Sequence, residues 1–268
     1  MRSGSGPPTT IRRALPTRAR RLVERNLMVY RRTWIIIFSG FFEPLLYLFG
    51  IGFGVGSLVG HVQDQSGHPV SYAVFVAPAL MATAAMNGAI YDSTFNLFEK
   101  IKYRRTYEAI LATPVGTGDV ALGEVTWAVM RGSIYSTGFI VVMVALGLVA
   151  SPTAILALPA AVLIGFAFAA VGTAITTFIK KWADFDLVQL ALVPLFLFSA
   201  TFFPITAYPH VVQLVVGVTP LYRGVDLIRG LTTGSLAPRL LVDVAYLAVL
   251  GLAGLLVTSR RLKKLLLT

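Results

Sequence analysis

A chain of 268 residues that is 56% hydrophobic and 13% charged, with a mean hydropathy of +0.76, holds more apolar surface than one water-soluble core of that size needs. Its net charge of +11 does not make it a nucleic-acid binder, because nineteen of its 23 Lys and Arg residues lie in four short patches between long apolar runs instead of along one stripe. The lack of cysteine excludes disulfides, thiolate metal sites and thiol nucleophiles.

Those patches are Arg2 to Arg32, Lys100 to Arg105, Lys180 with Lys181, and Arg260 to Lys264. Basic connectors stay on the cytoplasmic side of a bilayer, so the alternation of basic and charge-poor connectors predicts a polytopic membrane protein with both termini cytoplasmic. Residues 1–10 read as a disordered lead. Over 11–32, Ile11, Leu15, Ala19, Leu22 and Tyr30 recur at helical spacing opposite Arg12, Arg13, Arg20, Arg21 and Arg25, the pattern of an interfacial amphipathic helix.

Six spans follow, over about 34–58, 72–98, 120–149, 153–179, 187–203 and 240–257, inside a membrane domain of residues 33–260 that ends in a cytoplasmic tail, 261–268. Parity decides the stretch between the last two spans. Lys181 and Arg260 are both cytoplasmic, and Val211 to Val218 is too short to cross, so that stretch stays on the outer side. Pro204, Pro209 and Pro220 divide it, which predicts two short re-entrant helices, about 209–218 and 221–231.

Chemistry-bearing motifs are scarce. No Gly-x4-Gly-Lys-Ser/Thr is present to cradle a nucleotide phosphate, and there is no His-Glu-x-x-His or Gly-x-Ser-x-Gly. Energy for any transport must therefore come from a partner or an ion gradient. The connector after the second span predicts a short helix on which Tyr107, Ile110 and Leu111 share one face, Arg104, Arg105 and Glu108 take others, and Pro114 ends the turn. Such a helix can dock in a groove on a soluble partner or lie among lipid headgroups. Charges predicted inside spans are Glu43, Asp92, Glu124 and Arg131, with Asp243 near an outer end. Glu124 and Arg131 read as packing or snorkelling residues, whereas Glu43 and Asp92 are candidates for a substrate pathway. Gly50, Gly52, Gly54, Gly56 and Gly60 make overlapping Gly-x3-Gly pairs, which read either as helix packing through Gly52 and Gly56 or as a loose glycine-rich helix end feeding the external loop.

Several runs resemble one family: Phe42-Glu43-Pro44-Leu45-Leu46-Tyr47, Ala77-Pro78-Ala79-Leu80, Asp92-Ser93-Thr94-Phe95, Thr106 to Pro114 followed by Gly123-Glu124, Pro194 to Pro204, and Thr219 to Gly230. In this order they are similar to the type-2 ABC exporter permeases, closest to the nodulation lipooligosaccharide exporter and daunorubicin-resistance permease branch. Asp92 stands where that family leads one to expect Glu.

The resemblance implies an all-α membrane domain with an interfacial helix, six spans, a cytoplasmic coupling helix and a re-entrant pair. It implies a second permease chain, forming a homodimer, and two copies of an ABC-type ATPase that binds ATP and Mg, with no cofactor or metal on this chain. Arg104, Arg105, Thr106, Tyr107, Glu108, Ile110 and Leu111 would contact the ATPase, and Glu43, Tyr47, Asp92 and Phe95 would line the pathway. The expected function is export of a glycolipid, lipid-linked glycan or hydrophobic drug across a bacterial plasma membrane, among membrane lipids and without nucleic acid. The chain itself would not be an enzyme. Two alternatives are an ion-coupled transporter working alone and an intramembrane lipid-modifying enzyme using Glu43 or Asp92 as a base.

Overall fold

The computed structural model describes residues 23, 24, 26, 42–64, 67–103 and 116–266. The disordered lead, nearly all of the expected interfacial helix, the first residues of span one and the coupling connector from 104 to 115 lie outside the described residues. What is described is an all-α polytopic bundle with one small hairpin.

Helix α1 (Phe42–Val59) and helix α2 (Tyr72–Lys102) are joined by strands β1 (His61–Gln63) and β2 (Pro69–Ser71), which pair antiparallel with His61 opposite Ser71. The sequence reads as a plain loop here, because three-residue strands are too short to show alternation. Asp64 closes the turn by accepting the His68 N–H at 2.8 Å. Ser71 then caps α2 by accepting from the Val74 N–H.

The remaining helices are α3 (Thr117–Ala145), α4 (Pro152–Thr176), α5 (Phe185–Phe198), α6 (His210–Gly217), α7 (Pro220–Thr233) and α8 (Arg239–Leu266). Asp119 accepts the Gly116 N–H at 2.9 Å to start α3. Pro220 opens α7 and Gly234, at φ 81°, ends it in the left-handed conformation that glycine adopts without strain. Helix α8 runs past the expected Val257, taking the basic residues that read as a tail into its last turns. There, cations face the unsatisfied carbonyls of a helix C-terminus.

Helix α2 is the centre of the bundle, buried along most of its length, while α1 and α8 are largely exposed to the surrounding medium. Small residues allow the closest contacts. A Cβ on Gly88 would sit 2.8 Å from the Gly132 Cα, one on Gly132 would sit 2.7 Å from the Ala85 carbonyl oxygen, and one on Gly254 would meet the Ala170 carbonyl carbon at 2.8 Å. Two helix contacts, α2 with α3 and α8 with α4, thus bring backbones together where any side chain would force them apart.

One end of the bundle carries Lys100, Lys102, Lys180, Lys181, Arg260 and Lys263, and is called the basic end; the other is the far end. Helix α5 has 14 residues, about 21 Å, too few for a bilayer core of about 30 Å. With the segment that follows, it nonetheless reaches both ends of the bundle. Phe185, at its start, stacks on Phe95 near the basic end of α2, while beyond its last turn Phe202 O accepts from Tyr72 Oη and Ala200 O from Arg229 Nη2 at the far end. The irregular segment 199–203 completes the path. Its residues Ser199 to Phe202 are buried in protein, the condition under which non-helical backbone survives at membrane depth.

Helices α6 and α7 meet at 86°. At their apex Val218 O accepts from Tyr246 Oη (2.6 Å), and Tyr246 lies seven residues, about 10 Å, down α8 from the far end. Helix α7 then returns, with Leu231 O accepting from Thr153 Oγ1 and Thr232 O from the Ala150 N–H, both in the far-end turn before α4. The pair is re-entrant.

Candidate functional site

Two ion pairs join α2 to α3. Nearer the basic end, Lys100 Nζ lies 2.6 Å from Glu124 Oε2 and also donates to Asn26 Oδ1 at 3.4 Å. One layer deeper, Arg131 Nη1 lies 2.9 Å from Asp92 Oδ1, with both side chains at most 5% exposed. Arg131 Nε donates to Tyr135 Oη at 2.9 Å, its guanidinium lies over the rings of Tyr91 and Tyr135, and Asn96 Nδ2 donates to the same Asp92 oxygen. Glu124 and Arg131 share one face of α3, as their spacing implies, but each is neutralised across the interface by α2. The register that meets them includes a π turn at Asp92–Asn96, a widened turn of the kind often found at functional sites.

Next to Arg131 opens a cavity of about 840 Å³ between α1, α2, α3, α5 and the segment 199–204. Glu43, Tyr47 and Phe95 line it; Asp92 stands behind Arg131, and the arginine takes the wall. Gly52 and Gly56 face the start of α2, where their Cβ positions would lie 3.9 Å from Ala73 Cα and 3.4 Å from the Tyr72 ring. The residues expected to contact an ATPase, Arg104, Arg105, Thr106, Tyr107, Glu108, Ile110 and Leu111, lie outside the described residues.

The lining is sorted by height. Asn87, Tyr91, Arg131, Tyr135 and Gln189 face the basic half. Because Gly52 lies beside Ala73, Glu43 is nine residues, about 14 Å, nearer the basic end, at mid-height. The far half is apolar and aromatic: Val55, Val59, Phe196, Phe202 and Phe203. Tyr47, Phe196 and Phe202 meet in that half, with ring centroids 5.3 to 6.2 Å apart. Arg131 brings its own counter-ion, so the polar half offers mostly neutral hydrogen-bonding groups and aromatic faces, together with the Glu43 carboxylate.

Asn87, Tyr135 and Gln189 are not singled out by the sequence. A signal exists in α2, where Thr83, Asn87, Tyr91 and Phe95 recur every four residues and form one stripe on an otherwise apolar helix.

The far end has its own clasp. Arg229, fully buried, donates through Nε to Phe75 O (3.1 Å) and through Nη2 to Ala200 O (2.8 Å), with its guanidinium 3.9 Å from the Phe75 ring centroid. Arg223 pairs with Asp243 at 3.0 Å and Arg239 with Asp226 at 3.1 Å, tying α7 to α8. Outside the membrane-spanning helices, Asp184 accepts the backbone N–H groups of Lys180 and Lys181, which hold its carboxyl below the ordinary carboxylate range.

Comparison with known proteins fits this architecture. Residues 17–232 match the family described as ABC-2 type transporter. The chain is 34% identical over 213 residues to Nodulation protein J of Rhizobium meliloti (strain 1021), covering 79% of each chain. It is 30% identical over 242 residues to Nodulation protein J of Rhizobium leguminosarum bv. viciae, covering 90% of this chain and 92% of that one. A third relative, Nodulation protein J of Sinorhizobium fredii (strain NBRC 101917 / NGR234), is 32% identical over 207 residues, 76% of this chain and 77% of its own length.

Proposed function

Starting from a chain that belongs to the ABC-2 type transporter family and forms a multi-pass membrane subunit, we propose that it exports an amphipathic molecule, a glycolipid, lipid-linked glycan or hydrophobic drug, from the cytoplasmic leaflet of a bacterial plasma membrane. Two copies of this chain pair with two copies of a separate ATPase, which binds ATP and Mg and contacts Arg104 to Leu111. The basic end faces the cytoplasm, in keeping with the sorting of cationic connectors.

The height-sorted cavity carries this reading. An amphiphile in the cytoplasmic leaflet has its polar head toward the cytoplasm and its chains toward the bilayer centre. Asn87, Tyr91, Tyr135 and Gln189 offer amide, hydroxyl and aromatic-face contacts at the height of such a head, and Phe196, Phe202 and Phe203 offer apolar contact farther in. Hydroxyl-rich, uncharged heads suit that set best, because the one cation present is neutralised by Asp92. The large apolar share of the wall fits hydrocarbon.

Mechanistically, ATP binding favours one arrangement of the motor dimer, and a permease mechanically tied to it shifts between inward-open and outward-open populations. Glu43 sits where polar and apolar linings meet and hydrogen-bonds the head group as it passes.

Reconstitution with the ATPase subunit in proteoliposomes tests the reading through movement of a fluorescent glycolipid. Expected are movement that requires ATP and persists with a protonophore, and a changed substrate preference in Glu43→Gln. Movement that follows a proton gradient and ignores ATP would support the ion-coupled alternative, and chemical conversion of the lipid without ATP would support an enzyme.

A further inference from the structure

Five aromatic side chains gather at the basic end, one of them, Phe95, at the edge of the cavity. Phe98 is their centre, buried to 2% exposure. Its ring meets Phe185 at 5.1 Å, Trp182 at 5.3 Å and Tyr103 at 6.1 Å, all three edge to face. Phe95 stacks on Phe185 at 4.4 Å, and Tyr103 stacks on Trp182 at 6.0 Å. The rings come from two parts of the chain: Phe95, Phe98 and Tyr103 from the last turns of α2, Trp182 and Phe185 from the turn that starts α5.

The two flanks lead to different places. Tyr103 immediately precedes the connector 104–115 in sequence. Phe185 begins α5, which forms one cavity wall through Gln189 and Phe196, and Phe95 itself reaches the cavity. Asp184, bonded to two backbone N–H groups, stiffens the turn that carries Trp182. Phe98 and Phe185 are buried, whereas Tyr103 (62% exposed) and Trp182 (46%) lean on them from the surface, so a displacement at Tyr103 meets Trp182 and the buried rings before it meets the rest of α5.

We infer that Trp182 and Phe185, clamped on Phe98 and Tyr103, form an aromatic latch that passes connector movement to α5 and so to the cavity wall. This makes them positioning residues for transport, although neither faces the polar half of the cavity. The inference rests on the reading of 104–115 as the motor contact.

The test uses the assembled transporter. Trp182→Ala is expected to keep ATPase stoichiometry and hydrolysis within about twofold of wild type while transport per ATP falls about tenfold, the range expected for a coupling carried by a few aromatic contacts. Trp182→Phe, which keeps a ring, should recover most of that loss. The chain has no cysteine, so Tyr103→Cys with Trp182→Cys gives a clean pair. That double variant should lose transport, and bridging the two thiols with a short bifunctional thiosulfonate should restore it, an outcome no purely structural role predicts. Wild-type transport by Trp182→Ala, or a cysteine-pair defect that bridging leaves unchanged, would overturn the latch. If wild-type chain neither holds an ATPase nor transports, it is the functional reading that fails.

Discussion

Helix α5 and the segment that follows it are held at their two ends by different chemistries. At the far end the buried Arg229 donates to Ala200 O in the non-helical segment and to Phe75 O of α2. At the basic end the joint between α2 and α5 is a set of aromatic rings. Directional bonds to buried backbone allow one geometry, whereas ring contacts keep their area over small rotations.

Arg229→Met should break that contrast most severely. It removes both guanidinium bonds from buried carbonyls, at a cost of about 3 kcal/mol, and is read as lost yield and a lowered thermal midpoint in detergent. Next comes the pair between α2 and α3. Asp92→Ala should cost roughly 3 kcal/mol by leaving the Arg131 guanidinium buried without its carboxylate, whereas Asp92→Leu with Arg131→Met should cost no more than about 1 kcal/mol. A double-mutant cycle on thermal stability separates these outcomes, and equal damage from single and double variants would show that the residues do not act as a pair.

The smallest effect belongs to Asp184, which is exposed. Its folded-state pKa is depressed by the Lys180 and Lys181 N–H groups, so what it contributes is present above the unfolded value of about 3.9 and lost as pH falls through the lower folded one. Hydrogen exchange at Lys180 and Lys181, compared with Asp184→Asn at each pH, should differ near neutrality and converge in acid.

Much of this fold was legible in the sequence because bilayers impose length and charge rules that act locally. Apolar runs of about 20 residues, the four basic patches, and Pro204, Pro209 and Pro220 give the spans and the re-entrant pair without reference to tertiary contacts. Pairing across helices is different. Glu124 and Arg131 have partners at Lys100 and Asp92 only because α2 and α3 run antiparallel in one rotational setting, which includes the π turn. The overlapping Gly-x3-Gly pattern in α1 drew attention to Gly52 and Gly56. The closest backbone contacts, however, fall at Gly88, Gly132 and Gly254, which stand in no such run. The cavity residues Asn87 and Gln189 are single polar positions on different helices, and only packing shows that they meet.

The central claim, a permease driven by a separate motor, is tested most directly by affinity purification of the tagged chain in detergent from its native host, with mass spectrometry and an ATPase assay on what is retained. The account predicts a stoichiometric soluble ATPase that is lost from Tyr107→Ala with Ile110→Ala. An intact, folded chain that purifies alone and has no associated ATPase would contradict it.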